Sequence, residues 1–132
     1  MALEIGQSAE FRAAVTDTRT PAALGQNDSV PLPPVFGTPF MIADMERACA
    51  DLLIQALCDG EVSVGVTIDV RHLAPTPVGA EVISTATFTG QDSALSWFDV
   101  QSTDTTGKIG EGRIARAIVR PDTLLAKADA RT

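Results

Sequence analysis

The stretch T-P-F-M-I-A-D-M-E-R-A-C-A-D-L-L-I-Q-A-L-C, from Thr38 to Cys58, decides the fold. Thr38 is a good N-cap residue, and Pro39 falls at the first helical position, where its missing N–H costs nothing. Gly60, just beyond the run, is placed to end it. Most of the circumference is apolar, which predicts a helix buried by other structure rather than one lying on a surface. Asp44, Arg47, Asp51 and Gln55 follow helical spacing and form one polar stripe. Glu46 lies off it, about 200° from Asp44 at 100° per residue, in line with Ile42, Cys49 and Leu53.

After Gly60 the period changes to two. In V-S-V-G-V-T-I-D-V-R-H, Val62 to His72, one face carries Val62, Val64, Val66, Ile68, Val70 and His72. The other carries Ser63, Gly65, Thr67, Asp69 and Arg71. L-A-P-T-P-V-G, Leu73 to Gly79, reads as a turn. Further strands are expected over Glu81 to Thr89, Ala94 to Thr103 and Ile109 to Arg120. Short connections such as G-Q-D-S and D-T-T-G favour antiparallel neighbours. Upstream, Ser8 to Thr16 reads as a first strand. A polar, proline-bearing segment follows from Asp17 to Pro34, including N-D-S and P-L-P-P. Connections that long tend to be lids, binding loops or disordered. The whole is strand, buried helix, then four antiparallel strands: an α+β domain whose antiparallel sheet wraps around one long central helix.

The chain has 132 residues, which suits one domain spanning 1–132 and a core that needs no staples. An apolar fraction of 45% and a charged fraction of 20% are ordinary for a globular protein. No run approaches the ~20 apolar residues of a membrane span. Met1 to Gln7 lacks the basic start of a signal peptide. Cys49 and Cys58 suit neither zinc nor a redox pair and read as small hydrophobes, so a reducing, cytoplasmic setting fits and no metal site is expected. A net charge of −7 argues against nucleic acid and anionic membrane as partners.

Three polar residues stand out. Glu46 on an apolar stripe is costly unless paired, hydrogen-bonded or protonated, so it is either a working carboxylate or a structural one held by a buried Arg. His72, the sole histidine, continues a row of five β-branched residues. It is either a satisfied strand-end residue or an acid/base. Capping alone explains Thr38, yet the same geometry sets a hydroxyl among free backbone N–H groups at the positive end of a helix, where a carbonyl oxygen is well held. A hydroxyl, a carboxylate and an imidazole facing one interior make acyl-transfer chemistry plausible.

Two stretches also resemble a known family. V-F-G-T-P-F-M-I-A-D-M-E-R-A-C, Val35 to Cys49, is similar to the helix start of the fluoroacetyl-CoA thioesterases. V-G-V-T-I-D-V-R-H-L-A-P-T-P-V-G, Val64 to Gly79, is similar to their histidine-bearing strand. L-S-W (Leu95–Trp97), G-E-G (Gly110–Gly112) and R-A-I-V (Arg116–Val119) follow in order. The resemblance implies a hot-dog fold, a homodimer with active sites at the subunit interface, and hydrolysis of a small acyl-CoA without metal or redox cofactor. It places the catalytic roles on Thr38, Glu46 and His72, and the backbone that helps hold the thioester carbonyl on Gly65. Leu32 and Phe36 are the other substrate contacts it suggests. Where the family has an aromatic lid this chain offers Val30 and Leu32; Pro39 replaces a Gly, and Ile114 occupies a position near the last strand where the family carries a second His. These departures bear on fluoroacetyl selectivity rather than on thioester chemistry. Lys108, Arg113, Arg116 and Arg120 against Glu111 give a local charge of +3, which with Arg71 makes either a CoA-phosphate patch or solvated strand-face charges. An enoyl-thioester hydratase on Glu46 and His72, or a non-catalytic acyl-CoA-binding module, are the competing readings.

Overall fold

The computed structural model describes residues 3–25 and 30–132; the N-D-S stretch of the predicted loop therefore lies outside the described residues. Five strands, β1 (Ser8–Ala14), β2 (Val62–His72), β3 (Glu81–Asp92), β4 (Leu95–Asp104) and β5 (Gly107–Val119), form one antiparallel sheet in the order β1-β3-β4-β5-β2. Helix α1 (Thr38–Leu53) packs on its concave face. The sequence-derived strands agree to within a few residues, and the fold is the expected hot dog. β2 pairs with β5, the last strand, so its other edge has no neighbour among the described residues.

α1 buries Met41, Met45, Ala48, Cys49, Leu52 and Leu53 against Val82, Ala86, Phe88, Phe98, Val100 and Ile114 of the sheet. Alternation along β3 and β4 sends every second residue inward. The Phe88 and Phe98 rings meet edge to face at 5.7 Å. α1 is shorter than the apolar run suggested: after Leu53 the chain tightens into a 3-10 turn, Ile54–Ala56, and leaves the core. The Asp17–Pro34 connection is not structureless either. It carries two short 3-10 helices, Asp17–Arg19 and Pro21–Leu24. A second helix, α2 (Pro121–Asp129), buries no residue, which explains why no apolar periodicity announced it.

The period-two reading of β2 fails at one point. The strand slips by one residue between Gly65 and Thr67, so Val66 is an extra residue with no opposite number on β5. Up to the slip, Ser63 and Gly65 face the helix. Beyond it, Val70 and His72 do, because one inserted residue inverts the alternation. The single face predicted for Val62 through His72 is therefore two half-faces. Val62, Val66 and Ile68 are left exposed.

Candidate active site

The helix start carries the first part of the site. Gly37, extended at φ −80° and ψ 140°, is the N-cap, and Thr38 is already helical. Of the two readings of Thr38, capping falls to Gly37, and the Thr38 hydroxyl lies 2.8 Å from Nδ1 of His72 at the far end of β2. Space is tight at Gly37, where a Cβ would sit 2.9 Å from the Phe40 ring and 3.3 Å from the Thr20–Pro21 backbone.

His72 is half-buried, and burial pushes its pKa below the usual histidine value, with a backbone hydrogen bond to Ala74 opposing. The ring is therefore neutral near pH 7. Phe36, fully buried, meets it edge-on with ring centres 6.3 Å apart. Thr38 and His72 open into a cleft of about 280 Å³ lined also by Pro21, Val35, Phe36 and Leu73. Leu32 is half-buried and does not line it.

Glu46 is not part of that pair. Eight residues on, it lies ~12 Å further along the helix axis. There it accepts a 2.9 Å hydrogen bond from Arg116 of β5, whose Nε and second terminal nitrogen hold Ser63 Oγ (3.1 Å) and the Ser63 carbonyl (2.8 Å). The carboxylate presses on Gly65: a Cβ there would stand 2.2 Å from Glu46 Oε1. Glycine at 65 is thus dictated by the helix carboxylate. Within one chain the structure builds two centres, Thr38–His72 and Glu46–Arg116–Gly65.

Arg116 was the residue sequence reasoning misassigned. It interrupts the run I-A-R-A-I as Glu46 interrupts the helix, and two opposite charges on facing apolar stripes are the signal that pairs them. Its place in Glu46's ion pair removes it from the phosphate patch that was one of the two readings of these charges. The rest of that patch also disperses: Lys108 pairs with Glu111, and Arg113 lies over the Trp97 ring at 4.4 Å in a row with Asp69 and Asp99. Asp44, a member of the polar stripe, is buried and bonded to Arg19. Cys49 sits against the Glu46–Arg116 centre, yet burial pushes its thiol up to about 12, opposed by Arg116, so it is not a nucleophile. Among the described residues no group of three or more His, Cys, Asp or Glu could hold a metal, and no helix is long and apolar enough to cross a membrane.

A hydroxyl–imidazole pair at the start of a helix wrapped by a five-stranded sheet, with an acidic residue further along that helix, defines a hot-dog thioesterase. Residues 15–122 match the model of the FlK family, fluoroacetyl-CoA-specific thioesterases, and the chain belongs to that family. It is 38% identical to the fluoroacetyl-CoA thioesterase of Streptantibioticus cattleyicolor over 101 residues, 76% of this chain and 72% of that one. A solved structure of the fluoroacetyl-CoA thioesterase FlK superposes with a TM-score of 0.94 at 29% identity, covering 100% of this chain and 99% of that one. A thioesterase superfamily member from Thermus thermophilus gives 0.88 at 25% identity, covering 98% and 96%.

Proposed function

We propose that this chain hydrolyses a short acyl-CoA thioester to the free acid and CoA, with Thr38, His72 and Glu46 as its catalytic residues. The observation that carries the reading is the 2.8 Å contact between Thr38 Oγ1 and His72 Nδ1 beside a small, largely apolar cleft. A hydroxyl in hydrogen-bond reach of a neutral imidazole is an activated nucleophile. In this reading Thr38 Oγ1 attacks the thioester carbon as its proton passes to Nδ1. The same proton then goes to the departing CoA sulfur as the C–S bond breaks. The carbonyl oxygen rests on backbone N–H groups, that of Gly65 among them. Glu46 activates the water that releases the acid. These steps use side chains and water, with no metal or redox cofactor.

The ~12 Å between Thr38 and Glu46 along the helix calls for a second copy. The open edge of β2 with its exposed Val62, Val66 and Ile68 suits antiparallel pairing with another β2. Such pairing carries the Gly65 half of one copy toward the His72 half of the other. The site we propose therefore lies at a homodimer interface, with Glu46 and Gly65 facing Thr38 and His72 of the partner. Leu32, with Val30, stands in the lid segment, and with Phe36 and Pro21 at the cleft the acyl group we favour is small and apolar rather than specifically fluoroacetyl. The unpaired Cys49 and Cys58 suit a reducing cytoplasm.

The test is release of free thiol from a panel of acyl-CoAs, with enoyl-CoA absorbance followed in parallel. Thiol release from short-chain substrates supports the reading. Enoyl loss without thiol, or silence from folded protein, overturns it.

A further inference from the structure

Arg19 belongs to the connection between β1 and α1, and its guanidinium is mostly buried, with 19% of the side chain exposed. It reaches two elements and an aromatic ring at once. One terminal nitrogen donates to the Ala14 carbonyl at the end of β1 (3.1 Å), and the other to Asp44 Oδ1 on α1. The plane lies over the Phe36 ring at 5.2 Å. Its own carbonyl accepts the N–H of Gly37, the N-cap of α1 (3.0 Å). Phe36 in turn meets His72, and Thr38 follows Gly37 directly. The whole of this pair sits outside the Thr38–His72 and Glu46–Arg116 contacts.

A buried ion pair is a poor device for stability, since desolvation offsets its attraction. Asp44 shows that cost: its Oδ2 is buried with no hydrogen-bond partner among the described residues, and burial raises its pKa against the pull of Arg19. An apolar pair would fill the same space more cheaply. What it would not do is fix a fork of donors and a cation–π face in one orientation.

We infer that Arg19, anchored by Asp44, is a positioning residue for hydrolysis: it holds Phe36 against His72 and sets the helix start so that Thr38 meets the imidazole. The inference rests on the thioesterase reading, and Arg19 itself touches no reacting atom. Arg47 lies over Phe11 and pairs with Asp51, so it cannot take over the role.

The experiment compares wild type, Arg19→Leu, Arg19→Lys and the double variant Arg19→Leu/Asp44→Asn. The double variant removes both charges together, which spares the fold an unpaired buried carboxylate and leaves the net field at His72 little changed. Readouts are the thermal midpoint, kcat and KM for a short acyl-CoA, and NMR titration of His72, the chain's single histidine. We expect the double variant to regain most of the thermal midpoint lost by Arg19→Leu. Its kcat should stay down ~10-fold or more, because a misplacement of about 1 Å can cost that much, with KM moving less. The His72 midpoint should rise toward the ordinary value as Phe36 ceases to exclude water. Arg19→Lys should restore part of kcat. A double variant with wild-type kcat and a wild-type His72 titration would overturn the inference and leave the pair merely structural. Should wild type release no thiol, the thioesterase reading fails, and the His72 titration still decides whether Arg19 positions that ring.

Discussion

Thr38 Oγ1 and His72 Nδ1 are 2.8 Å apart although 34 residues separate them, one at the first turn of α1 and the other at the last residue of β2. Gly37 takes the N-cap position, and no protein atom among the described residues bonds His72 Nε2. Replacing Thr38 or His72 by Ala should therefore cut turnover ~100-fold or more, while Thr38→Ser retains a measurable fraction. Steady-state thiol release on variants of unchanged thermal midpoint checks this, and full activity in both Ala variants would sink the pairing.

The neutral imidazole fixes the sign of the pH dependence. His72 has a folded-state pKa below its unfolded value of 6.5. Its neutral form thus contributes stability that is present above that value and is lost as pH falls through the folded one. Activity should follow the same limb, so the acid limb of kcat/KM should have its midpoint below 6.5. A limb centred above 6.5 would contradict the burial of the ring.

Gly65 makes a steric prediction. A Cβ 2.2 Å from Glu46 Oε1 cannot be accommodated without displacing the carboxylate that Arg116 holds. Gly65→Ala should cost about 1–3 kcal/mol of stability, as overpacking does. It should also lower kcat with Glu46→Gln, which we expect to fall ~100-fold. Denaturant titration and kinetics read the two effects separately; an unperturbed Gly65→Ala would mean that Glu46 moves freely.

Subunit complementation tests the shared site. If Thr38 of one copy works with Glu46 of another, mixing inactive Thr38→Ala and Glu46→Gln proteins under exchange should restore thiol release, because one of the two sites in each hybrid is intact. Sites contained within single chains would stay silent. Ile68→Lys, at the exposed edge of β2, should lower both the sedimentation mass and the activity.

Cysteine chemistry offers a simpler check. Cys58 is exposed, whereas Cys49 is buried with its thiol near 12. Iodoacetamide at pH 8 should label Cys58 alone and leave hydrolysis intact; labelling of Cys49 in the native protein would show that the helix opens.

Most of the architecture was legible because it rests on periodicity. The buried helix, the bounds of β2 and the antiparallel hairpins follow from spacing and turn residues. What escaped depends on partners distant in sequence. Asp44 reads as one member of a polar stripe, and its burial under Arg19, from an unpatterned segment, is not written in that spacing. Glu46 announced itself as a misfit on its stripe, but its partner Arg116 looked like one member of a basic cluster. α2 buries nothing and so left no signature. For Thr38 the helix start was legible, yet its hydroxyl's contact with His72 depends on where β2 ends.

The extra residue at Val66 has a consequence for comparing chains of this kind. Gly65 and His72 are an odd number of positions apart, and in an unbroken strand they would look in opposite directions. Any homologous strand that keeps this interval must also keep an insertion inside it. A natural variant one residue shorter between the two could serve the same chemistry with a regular ladder. The parity of the interval between the glycine and the histidine therefore tells which strands carry the kink.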